Sequence, residues 1–315
     1  MDARLFKDTG CELGEGPLWD GEALWFFDIL APAMHRLSGD GATLESWEGE
    51  RMATAIARTD RGAMLIATET DLMLFDPAAQ NAETLCPLEA DTPETRSNDG
   101  RADRQGGFWI GTMGKDARPE AGAIYRWYRG ELRCLRRGVT IPNSICFSPD
   151  GRLAYFSDTA LGTMFRWRLD PEGWPIGAPE VFYRAERPGE GPDGAVTDES
   201  GAVWVAIWGG ARGQRIGSDG AAAGAAAVLP GAEPRGHDVH HHRARRAGRR
   251  GAAGGAAVGR HIHRTARDRG AARATRAAGL TGPPRRPTAL RPKCKRRARG
   301  PALCAARSGP RSGRK

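Results

Sequence analysis

A short aromatic motif recurs five times in the first two thirds of the chain. Gly21-Glu22-Ala23-Leu24-Trp25-Phe26-Phe27-Asp28 returns as Gly151-Arg152-Leu153-Ala154-Tyr155-Phe156-Ser157-Asp158. Looser copies run from Asp60 to Ala67, from Gly106 to Thr112 and from Asp198 to Ala206. Anchored on Trp25, Leu65, Trp109, Tyr155 and Trp204, the copies stand 40, 44, 46 and 49 residues apart. Each opens on an Asp/Gly turn, where glycine takes positive φ without steric cost. An apolar run of strand length follows, and often a second, as in Gly122-Ala123-Ile124-Tyr125-Arg126-Trp127. Short strands repeating at about 40–50 residues with no helical period between them predict an all-β propeller of four-stranded blades.

Composition changes abruptly where the repeat stops. The chain has 315 residues and a formal net charge of +9, an average over two unlike parts. Up to Gly217 there are 23 basic and 34 acidic residues; the last 98 carry 24 basic and 4 acidic. All 22 aromatic residues precede the cut, and 68 of the 98 beyond it are Ala, Arg, Gly or Pro. With only eight Val, Leu and Ile side chains, that segment has too little apolar surface to offset the entropy of ordering it. We therefore expect a propeller of four to five blades over 1–217 and a disordered, low-complexity basic tail over 218–315. Its four dominant residue types share codons whose first two bases are G or C, so the tail reads as out-of-frame translation starting near residues 212–222. A basic arm can neutralise phosphates, but this one has no aromatic side chain on which bases could stack, so nucleic-acid binding is not expected. The histidines between His237 and His263 and the Lys293–Arg297 cluster are likewise read as non-functional sequence.

No apolar run reaches the length of about 18 residues that a membrane helix needs, and Met1 to Asp8 lacks the apolar core of a signal peptide. Six scattered cysteines include no C-x-x-C pair, so neither a disulfide framework nor a zinc ribbon is expected. Reduced thiols in a cytoplasmic protein without a membrane partner are the expectation. Oligomeric state has no signature in the sequence.

Polar residues ahead of the repeated strands carry the chemical signal. Glu15 lies in Leu13-Gly14-Glu15-Gly16-Pro17-Leu18-Trp19, Asn98 in Arg96-Ser97-Asn98-Asp99-Gly100, Asn143 in Ile141-Pro142-Asn143-Ser144 and Asp193 in Gly191-Pro192-Asp193-Gly194. Each stands 10 to 12 residues ahead of its anchor. Equivalent positions in successive blades face one end of the central channel, and a ring of Glu, Asn and Asp oxygens there suits a hard divalent cation. Singly, Asn-Asp-Gly and Pro-Asp-Gly are ordinary turn sequences; their agreement in phase carries the argument. Glu69, Asp71 and Asp76 are read as solvated loop residues.

These motifs, together with Asn98-Asp99-Gly100-Arg101-Ala102-Asp103, Phe108-Trp109-Ile110-Gly111-Thr112-Met113 and Ser148-Pro149-Asp150-Gly151, resemble the gluconolactonase/regucalcin (senescence marker protein) family over residues 10–217. The resemblance implies a six-bladed β-propeller, incomplete here, and a hydrolase that opens a sugar (aldono-) lactone. It implies one divalent metal ion, Ca, Zn, Mg or Mn, held by Glu15, Asn143 and Asp193, with Asp193 as general base. Arg96 and Asn98 would hold the substrate's hydroxyl and carbonyl oxygens, and Glu120 would contact sugar hydroxyls. Two rival readings stay open: a metal-binding propeller without turnover, and a defective product of a lactonase gene.

Overall fold

The computed structural model describes residues 5–227, which form five antiparallel four-stranded sheets, each made of strands consecutive in sequence. Blade 1 holds β1 (Gly14–Trp19), β2 (Ala23–Asp28), β3 (Ala33–Ser38) and β4 (Leu44–Glu48). Blade 2 holds β5 (Ala53–Arg58), β6 (Met64–Thr68), β7 (Asp71–Asp76) and β8 (Asn81–Pro87). Blade 3 holds β9 (Thr95–Ala102), β10 (Phe108–Gly114), β11 (Gly122–Tyr128) and β12 (Glu131–Val139). Blade 4 holds β13 (Pro142–Phe147), β14 (Leu153–Asp158), β15 (Thr163–Leu169) and β16 (Pro175–Arg184). Blade 5 holds β17 (Gly191–Thr197), β18 (Val203–Trp208), β19 (Arg212–Ile216) and β20 (Ala222–Ala227). The described residues contain no α-helix, only a 3₁₀ turn at Thr159–Leu161, and no helix long and apolar enough to cross a membrane.

All five repeat anchors fall on the second strand of their blade. The reason is local. In blades 1, 3 and 5 one oxygen of a turn aspartate accepts backbone N–H groups while the other accepts the indole N–H of the anchor: Asp20 from Trp25 at 2.6 Å, Asp103 from Trp109 at 3.1 Å and Asp198 from Trp204 at 3.2 Å. The turn thus fixes both the hairpin and the ring packed behind it. An arginine on the third strand pairs with the anchor in four blades, Arg36, Arg126, Arg166 and Arg215.

Four buried apolar clusters each join a pair of successive blades. Between blades 4 and 5, for example, Tyr155 and Phe182 meet Val203, Val205 and Ile207. Alternation along each strand sends every other side chain to the opposite face. In β18 this leaves Trp204 half-buried and Trp208 44% exposed on the face turned away from blade 4.

The described residues form five blades, where the resemblance implies the six-bladed type, incomplete, and the sequence repeats four to five. Two readings are corrected. The boundary expected at Gly217 falls inside blade 5, because β20 pairs with β19 over Arg212–Ile216. Its sequence, Ala-Ala-Gly-Ala-Ala-Ala, has little intrinsic strand preference, and the neighbouring ladder supplies the hydrogen bonds. The remainder of the expected disordered, out-of-frame tail lies outside the described residues. Asp71, read as a solvated loop residue, is buried in β7, where Arg51 donates to it at 2.6 Å.

Candidate active site

The first strand of each blade, β1, β5, β9, β13 and β17, lies beside the first strand of the next. In all five blades its pairing with the second strand is interrupted after the opening residues. The irregularity lies between Glu15 and Leu18, Ala53 and Ala55, Ser97 and Gly100, Asn143 and Cys146, and Pro192 and Ala195. A bulge redirects side chains out of the strict alternation that a ladder imposes. Glu15 and Asn143 are the last regularly paired residues before it, while Asn98 and Asp193 are inside it. The similar spacing seen in the sequence therefore conceals a one-residue offset between two kinds of position.

The residue after Glu15 and the residue after Asn143 both take left-handed backbone, Gly16 at φ 63° and Ser144 at φ 58°. At Gly16 a side chain is excluded: a Cβ would lie 2.2 Å from Thr54 O. The peptide following Glu15 therefore packs directly on blade 2.

A cavity of about 1470 Å³ opens at this end of the ring. Glu15, Arg96, Asn98, Asn143 and Asp193 all line it, and its outer wall carries Trp19 and Leu24 from blade 1 and Trp204 and Trp208 from blade 5. Glu120 is not among the lining residues. It sits exposed in the β10–β11 connection at φ 56°, where its backbone N–H donates to Thr140 Oγ1 at 3.1 Å.

The polar residues form a directed chain of hydrogen bonds. Arg96 Nη1 donates to Asn98 Oδ1 at 2.8 Å. Asn98 Nδ2 donates to Asn143 Oδ1 at 3.0 Å and to Pro142 O at 2.9 Å. Asn143 Nδ2 donates to Thr159 Oγ1 at 2.9 Å, and that hydroxyl donates to Pro192 O at 2.7 Å. Blade 5 is held to blade 4 by further hydroxyls: Ser144 Oγ donates to Asp193 O at 2.5 Å and Ser157 Oγ to Pro192 O at 3.0 Å. Sequence reasoning missed Ser144, Ser157 and Thr159, because their partners lie 33 to 49 residues away and a hydroxyl beside a strand has no signature of its own. It also missed how Asp99 and Arg101 knit the centre. Asp99 Oδ2 accepts the Ile145 N–H at 2.7 Å, and Arg101 donates to Ile145 O at 2.9 Å and Ala195 O at 3.2 Å.

Negative charge is crowded here. Burial raises the Glu15 carboxyl well above the usual carboxylate range, and the charge of Asp193 raises it further. Burial likewise raises Asp193, with a second push from Asp99. Arg96 is pushed down to about 10 by burial, against the opposing pull of Glu15 and Glu69, and stays cationic at neutral pH.

This donor set fits a hard divalent cation. Two desolvated carboxylates repel each other, a conflict that an added cation would relieve. Asn143 Oδ1 accepts from Asn98 and, as a carbonyl oxygen, has a second lone pair. Among the described residues no three His, Cys, Asp or Glu side chains gather as a metal-holding group, so the set rests on two carboxylates and a neutral amide oxygen.

Comparison with known proteins gives a consistent picture. The profile of the SMP-30/gluconolactonase/LRE-like region matches residues 13–232. The L-arabinolactonase of Azospirillum brasilense is 35% identical over 240 residues, covering 74% of this chain and 79% of the relative. The 6-deoxy-6-sulfogluconolactonase of Pseudomonas putida is 31% identical over 211 residues, 66% of this chain and 72% of the relative. Among solved structures, a calcium-binding protein, regucalcin, from Agrobacterium tumefaciens superposes with a TM-score of 0.66 at 38% identity, covering 69% of this chain and 75% of that one.

Proposed function

The chain belongs to the SMP-30/gluconolactonase/LRE-like family, and on that premise we propose that it hydrolyses a sugar lactone with the help of one divalent ion. The observation that carries this reading is the shared cavity, onto which three blades turn Glu15, Asn143 and Asp193 beside the cationic Arg96. Those three residues would hold the ion, which when bound supplies Lewis-acid polarisation of the lactone carbonyl.

The chain's own residues account for the rest. Arg96 spends Nη1 on Ser97 O and Asn98 Oδ1, leaving the other guanidinium nitrogens to donate to the lactone carbonyl oxygen. Asn98 commits its amide donors to Pro142 O and Asn143 Oδ1, so it can only accept, through Oδ1, from a sugar hydroxyl. The two substrate oxygens assigned jointly to this pair are thereby divided between them. Asp193 takes the proton from a water whose oxygen bonds to the carbonyl carbon. The ring C–O bond then breaks, and the proton returns to the departing ring oxygen to give the hydroxy acid. A positioned general base of this kind is worth about 10²–10⁴-fold in rate. Glu120 has no part in this reading.

The decisive experiment follows aldonolactone opening by acid release, with and without chelator. Asp193→Asn should lose at least about 10²-fold of the turnover while keeping its β-sheet circular dichroism. Unchanged turnover would remove Asp193 from the reaction, and unchanged turnover after exhaustive chelation would remove the metal.

The ring reads as the six-bladed type lacking a blade. Supporting this, four apolar clusters join five blades, while Trp19 and Trp208 are 54% and 44% exposed on the cavity wall. Translating the gene around codons 212–222 in its other two frames tests the out-of-frame origin of the tail; the idea fails when neither frame encodes strand repeats.

A further inference from the structure

We propose that Thr159 is a positioning residue: its hydroxyl locks the Asn143 side chain with the amide oxygen, rather than the nitrogen, toward the candidate cation. The inference rests on the reading of Asn143 as a metal ligand and extends it to a residue outside the ligand set.

Asparagine oxygen and nitrogen are nearly the same size, and a half-turn of the amide exchanges them. Only hydrogen-bond polarity fixes which one faces the cavity. That polarity is set from both ends of the chain through Asn143. At one end Arg96 is an obligate donor, so the Asn98 atom it meets is the oxygen and the Asn98 nitrogen must face Asn143. At the other end Pro192 O is an obligate acceptor, so the single hydroxyl proton of Thr159 is spent on it. Thr159 Oγ1 can then only accept, and only the Asn143 nitrogen can satisfy it. Turning the amide over would set nitrogen against nitrogen at Asn98 and oxygen against oxygen at Thr159. Asn143 is 7% exposed, so either clash would leave polar groups of a buried amide without their partners.

Thr159 is itself held still. It follows Asp158, which is 3% exposed and grips the backbone on both sides of the site. Asp158 accepts the Thr140 N–H at 2.8 Å, the Ile141 N–H at 3.2 Å and the Ala160 N–H at 3.2 Å. The Thr159 N–H donates to Ile141 O at 3.0 Å. The turn that carries the hydroxyl is therefore tied to the lead-in of β13, the strand that carries Asn143. β-Branching restricts the side-chain torsion further. By binding Pro192 O, the same hydroxyl fixes the peptide just ahead of Asp193, so one side chain bridges the supports of two candidate ligands.

The test is calorimetric titration of calcium chloride into the metal-free full-length chain, for wild type, Thr159→Val, Thr159→Ser, Asn143→Ala and the double variant Thr159→Val/Asn143→Ala. Residues that orient a ligand typically change metal affinity by about 10–100-fold. Thr159→Val should weaken calcium binding by about tenfold or more, and Thr159→Ser should recover most of it. In the Asn143→Ala background Thr159→Val should cost nothing further, because the amide it orients is gone. A merely structural role would show the same loss in both backgrounds, and that result overturns the proposal. So does wild-type affinity in Thr159→Val alongside weakened binding in Asn143→Ala. Wild-type affinity in Asn143→Ala, or no calcium binding by the wild type, instead removes the underlying reading of Asn143, and the proposal with it. Should Thr159→Val fail to fold, Thr159→Ala at this half-exposed position replaces it in the same cycle.

Discussion

Blades 3 and 5 carry the same unit, a turn aspartate, a tryptophan and an arginine across the ladder, in opposite surroundings. In blade 3 the Asp103–Arg126 pair is wholly buried at 2.7 Å, with the guanidinium 4.3 Å from the ring centroids of both Tyr128 and Trp174. In blade 5 the Asp198–Arg215 pair, at 2.9 Å, remains 29–30% exposed, and Trp204 is only half-buried. The local sequence makes the hairpin in both cases. Whether that hairpin becomes core depends on having a neighbour on each face, as expected for a fold assembled from repeats in contact with their neighbours.

The largest expected effect that sharpens this contrast is at the buried pair. Asp103→Ala leaves the Arg126 charge without its partner in the protein interior and should cost about 3–5 kcal/mol of unfolding free energy, read by urea denaturation. A loss under 1 kcal/mol would mean that the stacked rings alone sustain the arginine. Next comes Ile207→Ala, on the covered face of blade 5, which should cost about 2–4 kcal/mol. On the other face of the same strand, Trp208→Ala should fall well below that; equal losses would show that the outward face is packed in solution.

The proposed divalent ion, with candidate ligands on blades 1, 4 and 5, extends the comparison to the cavity. At a free concentration a hundred times its dissociation constant it should add about 2.7 kcal/mol of stability, read as a rise in Tm. The gain should depend on pH. The Glu15 carboxyl is raised in the folded protein, so it favours the metal-free fold below the ordinary carboxylate range, and that contribution disappears as pH climbs above it. The contribution of Glu15 to metal-free stability should therefore decline between the ordinary carboxylate range and about pH 8, and saturating ion should flatten the decline. Parallel pH profiles with and without ion would separate Glu15 from the binding site. The smallest effect is expected at Asp198→Ala, a change in Tm well short of that for Asp103→Ala, because water screens the exposed pair.

The contrast also shows which features a sequence can report. Trp25, Trp109 and Tyr155 announce their strands because their burial follows from a turn and an apolar run within a dozen residues. Glu15, Asn98, Asn143 and Asp193 could be placed at one end of the ring because their phase against those anchors is nearly constant, and Arg96 came only with the family resemblance. The bulges could not be read, since they exist only in the register between two strands, and they divide the site residues into two kinds. Thr159 was silent because its meaning lies in Asn143 and Pro192, contributed by different blades. β20 was misjudged for the opposite reason: its alanines carry no preference, and the partner strand decides its conformation. Glu120 was placed by proximity to a motif, while its left-handed turn keeps it at the surface.

The interruption shared by the five central strands has a mechanical consequence. The cavity-lining residues at these breaks, Glu15, Asn98, Asn143 and Asp193, belong to none of the four apolar seams between blades, so exchanging one alters what the cavity can hold while leaving that packing in place. The frame can thus be refitted for another substrate at these positions without rebuilding its core, Asn98 and Asn143 being exchanged as a hydrogen-bonded pair.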